Sequence, residues 1–361
     1  MTRIFLDDAG SAPVLPEVLE ALRAVPPGNP SSPHAEGRAA RSALDRARDQ
    51  AAAAVGAERT ELVFTSSGTE SVNLALFGTR GPLLTWAAEH QAVLGAARRM
   101  QALGRPVTIA PVDAAASVDV GAIKAGTAVV SVGLANNEVG TVQPVREVIS
   151  RAHEIGALVH VDACAGPRWI DVPEGADLVS YSGHKLGAGR GGMLYVRDGV
   201  KIEPLLYGGP QEYGRRAGQE DVLAAAALAT AMVVIWSTRR DQYAEVAARQ
   251  SELLRSTLRS LGGMLTGGED RLPNFATCTF ADRKGEDVLL ALDLSGVAAS
   301  SGSACASGSL DPSHVLLAMG LSMEQALGSL RLTTGYATTD EDIDRAVDVM
   351  GTVLSRLGTH A

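Results

Sequence analysis

Residues 178–185 read Leu-Val-Ser-Tyr-Ser-Gly-His-Lys, an apolar run that ends in polar residues around one lysine. The apolar part is typical of a buried β-strand, and the glycines at 187, 189, 191 and 192 indicate a turn after it. Polar side chains directly after a buried strand mark the edge of a sheet where ligands bind in α/β folds. We therefore take Lys185 as a candidate site residue.

Similar apolar runs precede and follow this stretch and alternate with helical patterns. Strands are predicted at 61–65, 82–86, 106–111, 127–134, 158–161, 178–182 and 193–196, with helices at 14–24, at 35–55, from about Glu70, from about Gln91 and at 145–154. This alternation predicts an α/β fold with a mostly parallel sheet and helices on both of its faces.

The pattern changes in the last third of the chain. Residues 223–262 are helical in pattern, and beyond Gly262 strands at 277–280 and 296–300 mix with helices at 285–293, 312–319 and 339–356. A length of 361 residues exceeds one ordinary core, so we expect two domains. The predicted large domain covers 15–250, and a smaller α+β domain combines 1–14 with 251–361.

Composition excludes several classes of protein. The formal net charge of −9 argues against a nucleic-acid-binding surface. Neither a signal peptide nor an apolar run long enough to span a bilayer is apparent, so we expect a cytoplasmic protein without membrane contact. Three cysteines without paired spacing predict no disulfide framework and no metal site. Cys164 and Cys278 lie in strand-like stretches and are expected to be small buried hydrophobes.

Two further polar groups follow predicted strands. Asp162 ends the strand His160-Val161-Asp162, and Ser67-Gly68-Thr69-Glu70 stands between a strand and a helix. An amine at Lys185 can form a Schiff base, a carboxylate can keep a pyridine nitrogen protonated, and a helix start favours a phosphate. Each residue also has a plainer interpretation: a solvated lysine, an aspartate that caps a turn, and Thr69 as an N-cap.

Taken together, these stretches resemble one known family. The matching segments are Gly28-Asn29-Pro30-Ser31-Ser32, Phe64-Thr65-Ser66-Ser67-Gly68-Thr69-Glu70-Ser71, Glu89-His90, Asn136-Asn137-Glu138-Val139-Gly140, His160-Val161-Asp162-Ala163, Ser182-Gly183-His184-Lys185, Gln211-Glu212, Gly214-Arg215-Arg216-Ala217-Gly218 and Ser300-Ser301-Gly302-Ser303-Ala304-Cys305. In this order they resemble class V, fold-type I pyridoxal-phosphate enzymes, and more narrowly cysteine desulfurases of the NifS/IscS type. The resemblance runs from Phe5 to Arg331.

The resemblance implies roles around pyridoxal 5'-phosphate. Lys185 would hold the cofactor as a Schiff base, Asp162 would pair with the pyridinium nitrogen, and His90 would lie over the ring and transfer protons. Phosphate contacts are implied for Gly68, Thr69, Ser182 and His184, and across a dimer interface for Gln219. The family usually has threonine where Gln219 stands, and glutamine where Ala165 stands.

The resemblance also implies how the substrate binds and reacts. Asn137 would contact the cofactor's phenolic oxygen and the substrate region, and Arg331 would bind the substrate carboxylate, for which its fork of donors is suited. A structural salt bridge is the alternative for Arg331. Cys305, in the small-residue segment 300–314, would take sulfur from the substrate as a thiolate.

The function implied is conversion of L-cysteine to L-alanine, with sulfur passed through a persulfide on Cys305 to an acceptor protein, by a homodimer. Iron–sulfur scaffolds, tRNA-thiolation proteins, DNA-modification proteins and biosynthetic carriers remain open as acceptors. The alternatives are a related lyase or aminotransferase, such as a selenocysteine lyase or C–S lyase, which would not need Cys305, and a non-catalytic scaffold.

Overall fold

The computed structural model describes residues 3–236, 240–302 and 311–357. The helices are α1 (Pro16–Arg23), α2 (Ala35–Val55), α3 (Gly68–Gly78), α4 (Gln91–Ala102), α5 (Val145–Glu154), α6 (Val222–Ile235), α7 (Arg240–Ser260), α8 (Gly285–Leu294), α9 (His314–Ala318), α10 (Met323–Leu327) and α11 (Asp340–Leu357). The strands are β1 (Ile4–Phe5), β2 (Leu62–Thr65), β3 (Leu83–Trp86), β4 (Val107–Ala110), β5 (Val129–Gly133), β6 (Leu158–Asp162), β7 (Leu178–Ser182), β8 (Gly192–Val196), β9 (Met264–Leu265), β10 (Phe275–Thr279), β11 (Val297–Ala298) and β12 (Ser329–Thr333).

Seven strands form the large sheet in the order β2-β8-β7-β6-β5-β3-β4. Strands β4, β3, β5, β6 and β7 run parallel to one another, whereas β8 runs antiparallel to both β7 and β2. The sheet is therefore mostly parallel, as predicted. The carboxyl ends of β5, β6 and β7 meet at one edge, which is where polar residues follow each strand in the sequence.

Both faces of this sheet are covered. Along β7, Leu178 packs into one hydrophobic cluster, while Val179 and Tyr181 pack into another. Helices α2 and α6 pack against each other on the side of Tyr181, and α3 packs on β7 and β8 on the opposite side. Because neither face meets water, the strands read as nearly continuous apolar runs rather than as alternating ones.

A second core lies in the C-terminal third. The antiparallel sheet β12-β10-β9 and the parallel pair β1–β11 pack with α7, α8 and α11 around residues such as Leu254, Cys278 and Phe280. The N-terminal segment joins this region through β1 and then leads to the large sheet. The predicted boundary at residue 250 falls inside α7 and stays a prediction.

The α/β fold class is confirmed, and several local predictions need correction. The structure adds β1, β9, α10 and β12, none of which the sequence patterns predicted, and β12 carries Arg331. Cys278 is buried as expected, but Cys164 is only partly buried and lies beside the cavity described below. Its position just past the end of β6 explains this difference, since the sheet no longer covers it there.

No single helix among residues 3–236, 240–302 and 311–357 has both the length and the apolar composition needed to cross a bilayer.

Candidate active site

A cavity of about 320 Å³ opens at the carboxyl ends of β5, β6 and β7. Its volume is in the range of small-molecule sites. The structure brings together nine of the predicted site residues in its lining: Gly68, Thr69, His90, Asn137, Asp162, Ser182, His184, Lys185 and Arg331. These residues come from six separate parts of the sequence, so the fold assembles the site that their order suggested.

Asp162 and Lys185 lie on neighbouring strands. Asp162 is the last residue of β6, is 6% exposed, and its Oδ1 accepts a hydrogen bond from the backbone N–H of Cys164 at 3.0 Å. Lys185 ends the short helical turn that follows β7, the strand paired with β6. A carboxylate and an amine thus face one cavity from adjacent strand ends.

The first turn of α3 forms another wall. Ser67 is the N-cap, with its Oγ accepting from the backbone N–H of Glu70, so the helix begins at Gly68 rather than near Glu70. The backbone N–H groups of Gly68 and Thr69 lie in this first turn, where helix geometry provides no intrahelical partner. Such a turn is suited to an anionic group.

Gly68 lets α3 approach the strand ends closely. A Cβ placed on Gly68 would lie 2.4 Å from the Sγ of Cys164 and 2.9 Å from the Cβ of Ser182. Carbon atoms in favourable contact are about 3.5–4.0 Å apart. Only glycine therefore allows this helix start to sit against the ends of β6 and β7.

Burial favours the neutral form of two histidines in the lining. Ser182 Oγ and His184 Nδ1 are hydrogen bonded at 2.9 Å, and burial, with Lys185 nearby, lowers the pKa of His184 to about 4. Burial also lowers the pKa of His90, although the charge of Asp162 opposes that shift. Nδ1 of His90 caps α4 by accepting from the N–H of Ala92 at 3.1 Å. Hydrogen bonding therefore assigns the ring hydrogen of neutral His90 to Nε2.

A third neutral histidine lies beneath Asp162 in the sheet. His160 is fully buried and hydrogen bonds to Ser131 on β5 at 2.9 Å and to Ser180 on β7 at 2.8 Å. Burial lowers its pKa to about 4 despite the nearby charge of Asp162. The ring ties three strands together directly below the residue that ends β6.

Arg331 links the cavity to the N-terminal segment. Its Nη1 donates to the backbone oxygen of Asn137 at 2.7 Å, and its Nη2 donates to Asp7 Oδ1 at 2.8 Å. The side chain is 4% exposed, and its Nε has no partner among the described residues. The structure is compatible with both roles expected for Arg331. The side chain forms a salt bridge with Asp7, and it keeps donors in the cavity wall for a carboxylate.

Two predicted residues are not among these lining residues, for different reasons. Gln219 is exposed and does not belong to the cavity lining of this chain. Cys305 lies outside the described residues. Gly302, three positions before Cys305, does line the cavity.

Sequence patterns missed several other lining residues. Glu89 is buried, its Oε1 accepts from the N–H of Gly133 at 3.0 Å, and burial raises its pKa to about 8. Trp86 lines the cavity and its Nε1 is buried without a partner in the described chain. The pair Glu89-His90 was part of the family pattern, but nothing in that pattern distinguished the glutamate's carboxyl from a surface one.

This site fits a pyridine ring that carries an aldehyde and a phosphate. It offers an amine for the aldehyde, a carboxylate for a ring nitrogen, and first-turn N–H groups with a close-packed glycine for the phosphate. Gly68 packs closely against Cys164 and Ser182. This close packing brings the first turn of α3 to the cavity, where it forms the wall suited to an anion.

Comparisons with known proteins agree with this chemistry. The family model described as aminotransferase class-V matches residues 4–346. A cysteine desulfurase IscS of Dictyoglomus turgidum is 38% identical over 376 residues, which covers 99% of this chain and 95% of that protein.

Solved structures give the same result. A NifS-like protein superposes with a TM-score of 0.90 at 30% identity, covering 98% of this chain and 100% of the other. The structure described as SspA in complex with cysteine gives a TM-score of 0.79 at 30% identity, covering 91% and 98%. The chain therefore belongs to the aminotransferase class-V family and, within it, to the pyridoxal-phosphate-dependent cysteine desulfurases of the IscS/NifS type.

Proposed function

We propose that this protein removes sulfur from L-cysteine, leaving L-alanine, and that Cys305 carries the sulfur to an acceptor protein. One observation carries the proposal. The amine of Lys185, the carboxylate of Asp162 and the guanidinium of Arg331 line a single cavity together with Gly302, which precedes Cys305 by three residues.

Covalent connection limits how far Cys305 can lie from this cavity. Three residues of extended chain span about 10–11 Å, so the Cα of Cys305 lies within that distance of the Cα of Gly302. A cysteine side chain adds further reach. A thiol tethered at this distance can contact a substrate in the cavity that Gly302 lines.

Three groups of lining residues are proposed to hold the cofactor. Asp162 would pair with the ring nitrogen, Asn137 would contact the phenolic oxygen, and the phosphate would be held by Gly68, Thr69, Ser182 and His184. When bound, pyridoxal phosphate supplies an electron sink for the pair released at the substrate Cα.

The protein's own groups manage protons and orientation. Neutral His90 carries its ring hydrogen on Nε2 and can donate a hydrogen bond there, whereas a proton could be taken up only at Nδ1, where it would replace the bond from the N–H of Ala92. Arg331 would bind the substrate carboxylate through donors not used by Asn137 and Asp7, because a guanidinium has five N–H groups. Lys185 would return its amine to the cofactor when product leaves.

Sulfur transfer then balances without an external oxidant. The thiolate of Cys305 bonds to the substrate sulfur as the bond between that sulfur and Cβ breaks. The electron pair of the broken bond stays on carbon, which takes a proton and leaves as alanine. Cys305 retains the transferred sulfur as a persulfide, which an acceptor thiol can remove by attack on the outer sulfur.

The test compares Cys305→Ala with Cys278→Ala. Cys278 is buried in the small core, away from the cavity, and provides a matched thiol deletion. A single turnover with limiting L-cysteine is expected to yield alanine and Cys305-bound sulfur in equal amounts in the parent and in Cys278→Ala. Cys305→Ala is expected to lose both. Retained alanine production in Cys305→Ala would instead support a lyase or aminotransferase.

A homodimer is part of the proposal. An exposed apolar surface runs through Leu206, Tyr207 and Tyr213, and the ion pair between Arg216 and Glu70 joins this segment to the first turn of α3. Gln219 lies in the same exposed segment, and the family resemblance implies that it would reach the cofactor phosphate of a partner subunit. Sedimentation would give the mass, and a monomer with full activity would contradict this part.

The sulfur acceptor is proposed to be a protein with an accessible thiol, and the compartment is proposed to be the cytoplasm. Support for the compartment comes from the three cysteines, whose sparse and unpaired spacing is typical of a reducing environment. Fractionation of cells would test the compartment.

A further inference from the structure

We propose that Arg216 is a positioning residue for phosphate recognition, because it pairs with Glu70 in the first turn of α3, fixes that turn and offsets the charge of the carboxylate. The inference rests on the proposed function. Neither side chain is among the cavity-lining residues that the structure describes, so the pair acts through the turn rather than by touching the cofactor.

Glu70 closes this turn from both ends. Its backbone N–H donates to Ser67 Oγ at 3.2 Å, and its Oε2 accepts from the N–H of Ser66 at 2.7 Å. The N–H groups of Gly68 and Thr69 lie between these two bonds, in a first turn that provides no intrahelical partner. The carboxylate of Glu70 therefore helps to set the direction of the N–H groups that are proposed to hold the phosphate.

Arg216 holds this carboxylate through two donors. Its Nε donates to Glu70 Oε1 at 2.6 Å and its Nη2 donates to Oε2 at 3.3 Å, and the two side chains are only 18% and 19% exposed. Burial by itself would raise the pKa of Glu70, but the hydrogen bonds from Arg216 and Ser66 outweigh burial and lower that pKa below its ordinary value. The carboxylate is therefore ionised, and the fork of donors fixes its orientation.

The segment that carries Arg216 is itself anchored beside the turn. Glu212, four residues earlier, accepts from the N–H of Phe64 on β2 at 2.9 Å and from Arg48 Nη2 at 2.6 Å. Strand β2 leads directly into the first turn of α3. A guanidinium on a backbone held in this way can keep its partner carboxylate in place.

The charge of Glu70 opposes phosphate binding unless it is offset. A carboxylate in the first turn of a helix interacts favourably with the helix dipole, but it repels a second anion at the same helix end. The cofactor phosphate is such an anion. With Arg216 in place, the turn keeps its carboxylate and can still accept the phosphate.

The experiment compares pyridoxal phosphate with pyridoxal, which has the same ring and aldehyde but no phosphate. Cofactor-free protein is titrated with each ligand, the absorbance of the Schiff base reports binding, and denaturant unfolding reports stability separately. The ratio of the two dissociation constants measures what the phosphate contributes. General damage to the structure would weaken both ligands and leave this ratio unchanged.

Arg216→Met removes the charge and both donors, and Arg215→Met is the matched control. Arg215 is the neighbouring residue of the same segment, but its Nη1 donates to the backbone oxygen of Thr60 at 2.6 Å, before β2, rather than to the first turn of α3. Arg216→Lys keeps the positive charge without the fork of donors.

The expected result is a loss that is specific to the phosphate. Arg216→Met should bind pyridoxal phosphate about tenfold more weakly, because an unbalanced carboxylate and a loosened turn face the anion, while pyridoxal affinity should change by no more than about twofold. Arg216→Lys should lose less. Arg215→Met should keep the ratio of the parent protein.

A double variant tests whether the two residues act as a pair. Glu70→Gln combined with Arg216→Met removes the unbalanced carboxylate, so it should bind pyridoxal phosphate more tightly than Arg216→Met alone. This comparison also separates the pair from an indirect route through Gln219, because an effect of Arg216 on that residue would not depend on Glu70.

Three outcomes would overturn the inference. A parent-like ratio in Arg216→Met, whether both affinities fall or neither does, would leave the residue without a role in phosphate recognition. A double variant that binds pyridoxal phosphate no better than Arg216→Met would show that the two residues do not act together. If Arg216→Met does not fold, a parent-like ratio in Arg216→Lys overturns the inference. A parent protein that forms no Schiff base with pyridoxal phosphate is a different result, since it contradicts the proposed function itself.

Discussion

Replacing Gly68 by alanine tests how the fold builds its anion-binding wall. The added Cβ would lie 2.4 Å from Cys164 Sγ and 2.9 Å from Ser182 Cβ, both much closer than a normal contact. Cys164 and Ser182 sit at the ends of strands in the middle of the sheet, so they cannot move far. The start of α3 has to retreat, and its first-turn N–H groups retreat with it.

Two effects set the size of the expected losses of stability and of cofactor affinity in Gly68→Ala. Overpacking a well-packed site costs about 1–3 kcal/mol, which should appear as a lower free energy of unfolding for the cofactor-free protein. Misplacing donors by about 1 Å weakens hydrogen bonds to a charged phosphate worth about 1.5–3 kcal/mol, so pyridoxal phosphate should bind about tenfold to a hundredfold more weakly. The two losses are measured separately.

Denaturant unfolding and titration with pyridoxal phosphate are the assays. Gly95→Ala is the control, since Gly95 lies within α4 and an added Cβ there meets no atom within 4 Å; helix propensity predicts a gain of up to about 1 kcal/mol. Cys164→Ala removes the closest clashing atom and should restore part of the stability of Gly68→Ala. If Gly68→Ala has the same free energy of unfolding and the same affinity for pyridoxal phosphate as the parent protein, the close-approach argument is wrong.

Two other substitutions test buried charges. Burial raises the pKa of Glu89 to about 8, so the folded protein binds this proton more tightly than the unfolded chain does. The free energy of unfolding should therefore fall as the pH rises through that value, and the cofactor-free Glu89→Gln variant should lack this fall. Parallel pH profiles of unfolding in the two cofactor-free proteins would refute this interpretation. Arg48→Met leaves the Glu212 carboxylate buried, with the N–H of Phe64 still donating to it, and should cost about 3–5 kcal/mol in denaturant unfolding. Adding Glu212→Gln should recover part of that cost, and a double variant no more stable than Arg48→Met would count against the pairing.

The large sheet could be predicted from the local sequence because the signals that indicate its strands are short-range. Strand β7 is an apolar run buried on both faces, and α2 begins and ends at the residues that its helical pattern predicted, 35–55. Polar residues such as Asp162 follow these strands because parallel strands end at one edge of the sheet. Their meeting at that edge could therefore be predicted from a parallel sheet, whereas the strand order that makes them neighbours comes from the structure.

Strand β12 was missed for a physical reason. It mixes Leu330 and Leu332, which pack into the small core, with Ser329, Arg331 and Thr333, which are buried against other parts of the chain. Alternation of this kind normally indicates a strand with one face in water. Polar side chains can be buried there only because partners such as Asp7 arrive from residues far away in the sequence.

The sequence by itself determined the fold class and the strands of the large sheet, because strand periodicity is a local property, and the family resemblance supplied most of the residues that line its carboxyl edge. Tertiary structure alone decided that Gly68 touches Cys164, that Arg331 pairs with Asp7, and that Arg216 pairs with Glu70. Those contacts join segments from 96 to more than 300 residues apart, and no local pattern encodes a distance between such segments.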